Sequence, residues 1–246
     1  MTENWQLWKT KPDLESKYNI ERLRGNLSEM ESNKQLTNII SQYFEKNMRV
    51  LDVGCNVGHY LLGLRKKFPL LDYTGVDAYE TYINEAKRSF SKDNNANFLV
   101  KDIFKPLFPE DKFDIVYCCN VLIHLPDFKI PITNLLNSTK KICIIRTPLS
   151  NHTTIVKAPI YDTYEDNGNP KEFWYLNTWN KKYFADFIHE LGWKTEFIQD
   201  EFNPSNIQHE FESSKNNSVD KGTKILDDRQ VVDNIILNWT WVKITK

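Results

Sequence analysis

No stretch of this chain reaches the roughly 18 consecutive apolar residues that a membrane helix needs. Residues 1–17, MTENWQLWKTKPDLESK, lack the charged-then-apolar order of a secretory leader. A cytoplasmic protein with no membrane partner is the expectation. Charge of one sign is missing too: 32 Lys and Arg stand against 33 Asp and Glu, for a net charge of −1. The broad basic footprint of a nucleic-acid binder is therefore absent, and nucleic acid is not the expected partner. The four cysteines, Cys55, Cys118, Cys119 and Cys143, include no C-x-x-C pair and sit in or beside apolar runs. They read as reduced core thiols, and no metal site is expected. Glycine is scarce, with 8 in 246 residues. Two of those glycines, Gly54 and Gly58, fall four apart at the end of an apolar run, which marks a corner where bare backbone is needed.

Hydrophobic residues make up 40% of the chain, enough for one sizeable core, and the length suits one domain with additions or two small ones. Residues 31–46 place Leu36, Ile39, Ile40 and Tyr43/Phe44 at helical spacing. After them RVLDVG (49–54), DYTGVDA (72–78), NFLVKD (97–102), FDIVYCCNV (113–121) and KICIIRT (141–147) read as strands. Helical stretches at 58–68, 81–93 and 128–140 separate most of them. Such alternation predicts parallel βαβ units in an open sheet with helices on both faces. A helix in WNKKYFADFIHELGW, stopped by Gly192, and strands at 195–202 and 238–244 complete seven strands. Two segments break the rhythm. Residues 148–179 are rich in aromatics and turns, and 203–234 is polar around SSKNNSVDKG, so a mobile loop is expected there.

The corner reads 50-VLDVGCNVGHYLLGL-64. A strand that ends in a glycine turn and opens a helix binds either a dinucleotide or another nucleoside-bearing ligand. The dinucleotide fingerprint G-x-G-x-x-G fails at two positions, where Asn56 and His59 stand; a GxGxG pattern fails only at Asn56. Asp52, two residues before the first glycine, would repel a pyrophosphate but suits a cationic ligand. Asp77 and Asp102 end the next two strands. One aspartate at a strand end is usually a turn or N-cap residue. Three of them on the carboxyl edge, beside a glycine corner, mark the place where open α/β sheets bind ligands.

The stretch LDVGCNVGHY resembles motif I of the class I S-adenosylmethionine (SAM)-dependent methyltransferases, and the order of elements over about residues 35–245 is similar to theirs. The resemblance implies an α/β fold: a seven-stranded, mostly parallel sheet with helices on both faces and an antiparallel last strand. It implies SAM as cofactor and S-adenosylhomocysteine (SAH) as product. On it, Asp52, Gly54, Cys55 and Gly58 surround the methionine portion, with Asn56 replacing a usual glycine. Asparagine tolerates left-handed backbone angles, so the turn survives. Asp77 would accept both ribose hydroxyls. Asp102 would take the adenine amino group, Ile103 would pack on the ring, and Ala78 and Tyr79 would lie on its other side. Asn120 and Val121 would lie near the methionine end. The implied organisation is a cap at residues 1–34 and a SAM-binding domain at 35–246, with a lid insert at about 148–179.

The acceptor face begins at CCNVLIHLPD (118–127), where His124 is the titratable group suited to a general base. Many relatives carry a histidine here that only packs by the cofactor, and Ile123 takes the place of their usual glutamate. His152 is a rival. The 148–179 insert brings Tyr161, Tyr164, Phe173, Trp174, Tyr175 and Trp179 among carboxylates. Such rings suit stacking on a sugar or flat acceptor, or else form the lid's own core. The N-terminal segment with Trp5, Trp8, Tyr18, Arg22 and Arg24 is expected either to close the same cleft, its arginines meeting a carboxylate or phosphate, or to keep those arginines on a solvated helix face. The expected function is methyl transfer from SAM to a small-molecule acceptor, at a hydroxyl of a sugar or other metabolite. An RNA or tRNA nucleoside methyltransferase competes, with only 65-RKK-67 and 140-KK-141 as basic support. An inactive SAM-binding scaffold and a nicotinamide oxidoreductase are the readings from other classes. The oligomeric state is left open.

Overall fold

The computed structural model describes residues 13–159, 163–201, 224–226, 229–232 and 235–246. Two helices come first, α1 (Asp13–Leu23) and α2 (Glu31–Ser41). Leu36, Ile39 and Ile40 of α2 are buried, as their spacing predicts. The helix stops at Ser41 rather than at 46, because Gln42 and Tyr43 donate their amides three residues back in a tightened last turn.

Strands β1 (Arg49–Val53), β2 (Asp72–Asp77), β3 (Ala96–Val100), β4 (Phe113–Cys119) and β5 (Thr139–Ser150) then alternate with helices α3 (His59–Lys67), α4 (Glu80–Ser89) and α5 (Lys129–Asn137). The segment after β5 contributes β6 (Lys157–Pro159) and β7 (Phe173–Tyr175), paired antiparallel, and the short β8 (Trp179–Asn180) beside the end of β5. Helix α6 (Lys181–Glu190) and strand β9 (Lys194–Gln199) follow. Gly192 ends α6 with φ 79° while Trp193 donates back to Ile188, a Schellman stop. The chain closes with β10 (Lys224–Leu226), β11 (Arg229–Val232), β12 (Ile235–Leu237) and β13 (Trp239–Thr245).

The main sheet runs in the order β3-β2-β1-β4-β5-β13-β9. Strands β1 to β5 are parallel, and β13 is antiparallel to both β5 and β9. Helices α5 and α6 bury their apolar faces on one side, against residues such as Leu51, Val116 and Ile145. Helices α2, α3 and α4 cover the other side, against Val50, Tyr73, Tyr117 and Trp241. Strand order reverses between β1 and β4. That reversal leaves a crevice at the carboxyl ends of the strands, and it places the site.

One expectation is corrected. The segment 203–234, expected as a mobile loop, contains β10 and β11, which form a three-stranded antiparallel sheet with β12. Its Asp-Asp and Asp-Asn pairs raise the polarity of the stretch, yet they stand between apolar runs at hairpin spacing. Residues 203–223 of that segment lie outside the described residues. Among the described residues no helix is long and apolar enough to cross a membrane.

Candidate active site at the carboxyl edge of the sheet

The corner after β1 is built from three left-handed residues: Gly54 at φ 79°, Asn56 at φ 52° and Gly58 at φ 79°. Asn56 keeps the turn because its own Oδ1 accepts the Val57 amide at 2.8 Å. A Cβ on Gly54 would fall 2.2 Å from Cγ2 of Val121, so this glycine lets β4's exit loop close on the corner. The amides of the corner are all spent inside the chain. Gly54 and Cys55 donate to the Val76 carbonyl, Asn56 to Asp77 Oδ2 at 3.0 Å, Val57 to Asn56, and Gly58 to the Cys55 carbonyl. These five amides thus form no cradle for a pyrophosphate.

The acids take the place of that cradle. Asp52 is buried, and its Oδ2 accepts from the hydroxyls of Tyr73 (2.8 Å) and Tyr117 (2.9 Å). Burial pushes its carboxyl up to about 7, with the two tyrosine bonds opposing the shift. Asp77 accepts the Tyr79 amide on Oδ1 and the Asn56 amide on Oδ2, and burial raises it to about 6 against those bonds. Asp102 accepts the Phe104 amide at 3.0 Å. All three line one cavity of about 260 Å³. Gly54, Asn56, Ala78, Ile103, Asn120, Val121 and His124 line it too. Ten of the residues expected from sequence thus meet on one wall. Cys55 and Gly58 shape the corner from behind it. The Cys55 sulfur packs toward Gly75, and a Cβ on Gly58 would strike Phe98 at 2.8 Å and Phe90 at 3.1 Å. Tyr79 caps α4, and its ring rests edge-on against Tyr82, which does line the cavity.

A methyltransferase-domain family model matches residues 23–198, most of the chain and all of this corner. The chain belongs to this methyltransferase family. An uncharacterized methyltransferase of Schizosaccharomyces pombe is 33% identical over 107 residues, 40% of this chain and 38% of that protein. A ubiquinone biosynthesis O-methyltransferase of Coxiella burnetii is 35% identical over 94 residues, 38% of this chain and 39% of that protein. The chain therefore matches well under half the length of these curated relatives. The crystal structure of a magnesium protoporphyrin IX methyltransferase from Synechocystis with bound SAM superposes with a TM-score of 0.57 at 13% identity, covering 100% of this chain and 98% of that one. It shares the class I fold.

The turn after β4 is held by the segment that follows β5. His124 Nδ1 lies 3.0 Å from the Tyr175 carbonyl. A carbonyl only accepts, so Nδ1 carries a proton, and Nε2 is the nitrogen left to accept one. Asn177, fully buried, donates its backbone amide to Ile123 and its Nδ2 to the Leu125 carbonyl, and its Oδ1 accepts from Val156. Trp179 Nε1 donates to Leu122. Residues 175–179 are thereby stitched to the turn that carries His124. Phe173 and Trp179 join the main core, where Phe128 meets Trp179 at 5.1 Å, so these rings pack rather than line the cavity. Trp174, Tyr164 and His152 are not on the cavity wall: Tyr164 is half exposed and bridges to Pro170, while His152 is exposed and turns back on Ser150. Tyr161 lies outside the described residues, as do Trp5 and Trp8. Arg22 stands behind the wall, bonded to Asn19 Oδ1 at 3.5 Å.

Several wall residues escaped the sequence reading. Asn19 and Met30 come from the N-terminal segment, and His59, Tyr60, Lys101 and Leu125 stand inside the quoted stretches, one or two positions from the residues assigned there. Burial pushes the His59 imidazole down to about 3, with the Arg22 charge adding to it, so that ring is neutral. One signal was available: a lone arginine inside the apolar strand KICIIRT announces a buried charge with a partner.

Proposed function

We propose that this protein transfers the methyl group of SAM to a small-molecule acceptor, with a hydroxyl of a sugar or other metabolite as the acceptor group. The observation that carries the reading is the meeting of Asp52, Asp77 and Asp102 in one cavity beside a corner whose amides are already spent. Carboxylates accept hydroxyl and amino hydrogens and attract cations; they repel phosphates. In this reading Asp77 takes the ribose hydroxyls, Asp102 takes the adenine amino group beside Ile103 and Ala78, and Asp52 faces the cationic methionine end near Gly54, Asn56, Asn120 and Val121. SAM supplies an activated methyl group and its own leaving group. The chain's residues hold the acceptor in line, exclude water and remove the acceptor's proton. His124 is the base assigned to that proton, through Nε2, because its Nδ1 is committed to Tyr175.

The same reading makes residues 1–34 a cap on a SAM-binding domain at 35–246, since Asn19 and Met30 reach the cavity wall. Four free, buried cysteines favour a reducing, cytoplasmic setting. A nucleoside acceptor within RNA is disfavoured by local pairing of the basic clusters: Arg65 is engaged by Asp93, Lys66 by Glu29 and Lys141 by Glu45.

Calorimetric titration with SAH, with NADH as control, tests the cofactor. Binding of SAH alone is expected; binding of NADH alone would overturn the assignment. Screening hydroxylated metabolites with methyl-labelled SAM then tests the acceptor class. With an acceptor in hand, His124→Gln is expected to lower kcat by about 100-fold or more while SAH affinity stays within about twofold. An unchanged kcat would leave His124 as a packing residue.

A further inference from the structure

We propose that Arg146 is a positioning residue of this site: it holds Asn120, and with it the Asn120–Val121 wall, in the shape that the cofactor meets. The inference rests on the reading of the cavity as the SAM site. Arg146 lies on β5 and is 5% exposed. A buried guanidinium loses its hydration, so its donors must be met by well-placed acceptors. They are. Nε and Nη2 form a fork on Asp200, at 2.7 and 2.8 Å, and Nη1 donates to Asn120 Oδ1 at 2.6 Å. The Trp239 ring covers the guanidinium at 4.1 Å.

Asn120 is held twice, because its backbone amide also donates to the Arg146 carbonyl at 3.0 Å. It needs holding: its φ of 62° is left-handed, a conformation that a non-glycine residue adopts at a cost. Arginine has no acceptor, so the contact also decides which way the amide lies. Oδ1 faces Arg146, and Nδ2 faces the Tyr60 hydroxyl at 3.5 Å, which in turn bonds Ser32 at 2.7 Å. Val121 follows directly, and its Cγ2 occupies the space that a Cβ on Gly54 would need. A slip of Asn120 therefore moves the wall off the glycine corner. Asn120, Val121 and Tyr60 line the cavity, while Arg146 and Asp200 do not. The ion pair acts on the ligand only through what it holds.

Calorimetric titration of SAH into the full chain tests this. Arg146→Lys keeps the charge but cannot serve Asp200 by a fork and Asn120 together, so SAH is expected to bind about tenfold more weakly. Asn120→Gly keeps the left-handed backbone and removes the side chain, and a similar loss is expected. Combining the two should add less than about twofold to either single loss, since both break the same link. Should Arg146→Lys fail to fold, Arg146→Met with Asp200→Leu removes both buried charges at similar volume, and the same tenfold loss is expected of it. A folded Arg146 variant binding SAH within about twofold of the native chain would overturn the proposal, as would single losses that multiply in the double variant. Failure of the native chain to bind SAH would remove the cofactor reading itself, and this proposal with it.

Discussion

Asp77→Ala is expected to weaken SAH binding by about 100-fold or more, the effect of about 3 kcal/mol. Two losses combine in it. A carboxylate has room for about four hydrogen bonds, and two of those on Asp77 are taken by the Asn56 and Tyr79 amides. The remaining capacity is what a pair of vicinal hydroxyls would meet. Alanine removes that acceptor and also orphans the two amides, one of which belongs to the corner itself. Asp77→Asn, which keeps an acceptor oxygen, is expected to fall between alanine and the native chain. Calorimetry with SAH reads the affinity, and circular dichroism verifies that the sheet is intact. Alanine binding as tightly as aspartate would separate Asp77 from the ligand and send the nucleoside to another part of the cavity.

Asp52→Asn should have effects of opposite sign on stability and on binding. The folded carboxyl is pushed up to about 7 from the ordinary unfolded value of about 4. Between those values the folded state holds a proton that the unfolded state has lost. The neutral form's contribution is therefore fully present below about pH 4, is lost progressively as pH rises, and is gone above about pH 7. Asp77, raised to about 6, adds to the fall over the lower part of that window. The ligand-free protein should lose melting temperature on going from about pH 5.5 to pH 8 through these groups, and Asp52→Asn should flatten the slope. Asparagine still accepts from Tyr73 and Tyr117 but carries no charge to bury. At about pH 8 the variant is expected to melt roughly 4–8 °C higher, the shift expected for about 2 kcal/mol in a chain of this size. SAH carries an ammonium group that favours the ionised carboxylate. Its affinity for the native chain should therefore rise over the same pH range, and the variant should bind more weakly and without that rise. Paired thermal melts and titrations at the two pH values check both. A variant that gains no stability at high pH would mean that Asp52 is already neutral there or is solvated from the cavity.

Both predictions use residues that were legible in the chain, and their legibility has a physical basis. The strand-turn-helix corner is local: its glycines, its acid and the apolar run before it are contiguous, so their spacing survives as a pattern. The alternation of strands and helices is local too, and it fixes the parallel sheet and the edge where its acids collect. The 203–234 segment shows the limit of such patterns, because short strands there are diluted by polar turns until composition masks them.

By itself, then, the sequence determined the alternation of strands and helices, the glycine corner and the three strand-end acids, because each depends on neighbours within a few residues. The tertiary structure decided which side chains face the cavity. It turned Cys55 and Gly58 behind the corner, brought Asn19 and Met30 from the N-terminal segment to the wall, and set Tyr73 and Tyr117 on Asp52. It also joined Arg146 to Asp200 and Asn120, residues 54 and 26 positions away along the chain. No spacing rule carries such links. A buried charge takes whatever partner the packed sheet brings within hydrogen-bond reach, and that is settled only when strands distant in sequence lie side by side.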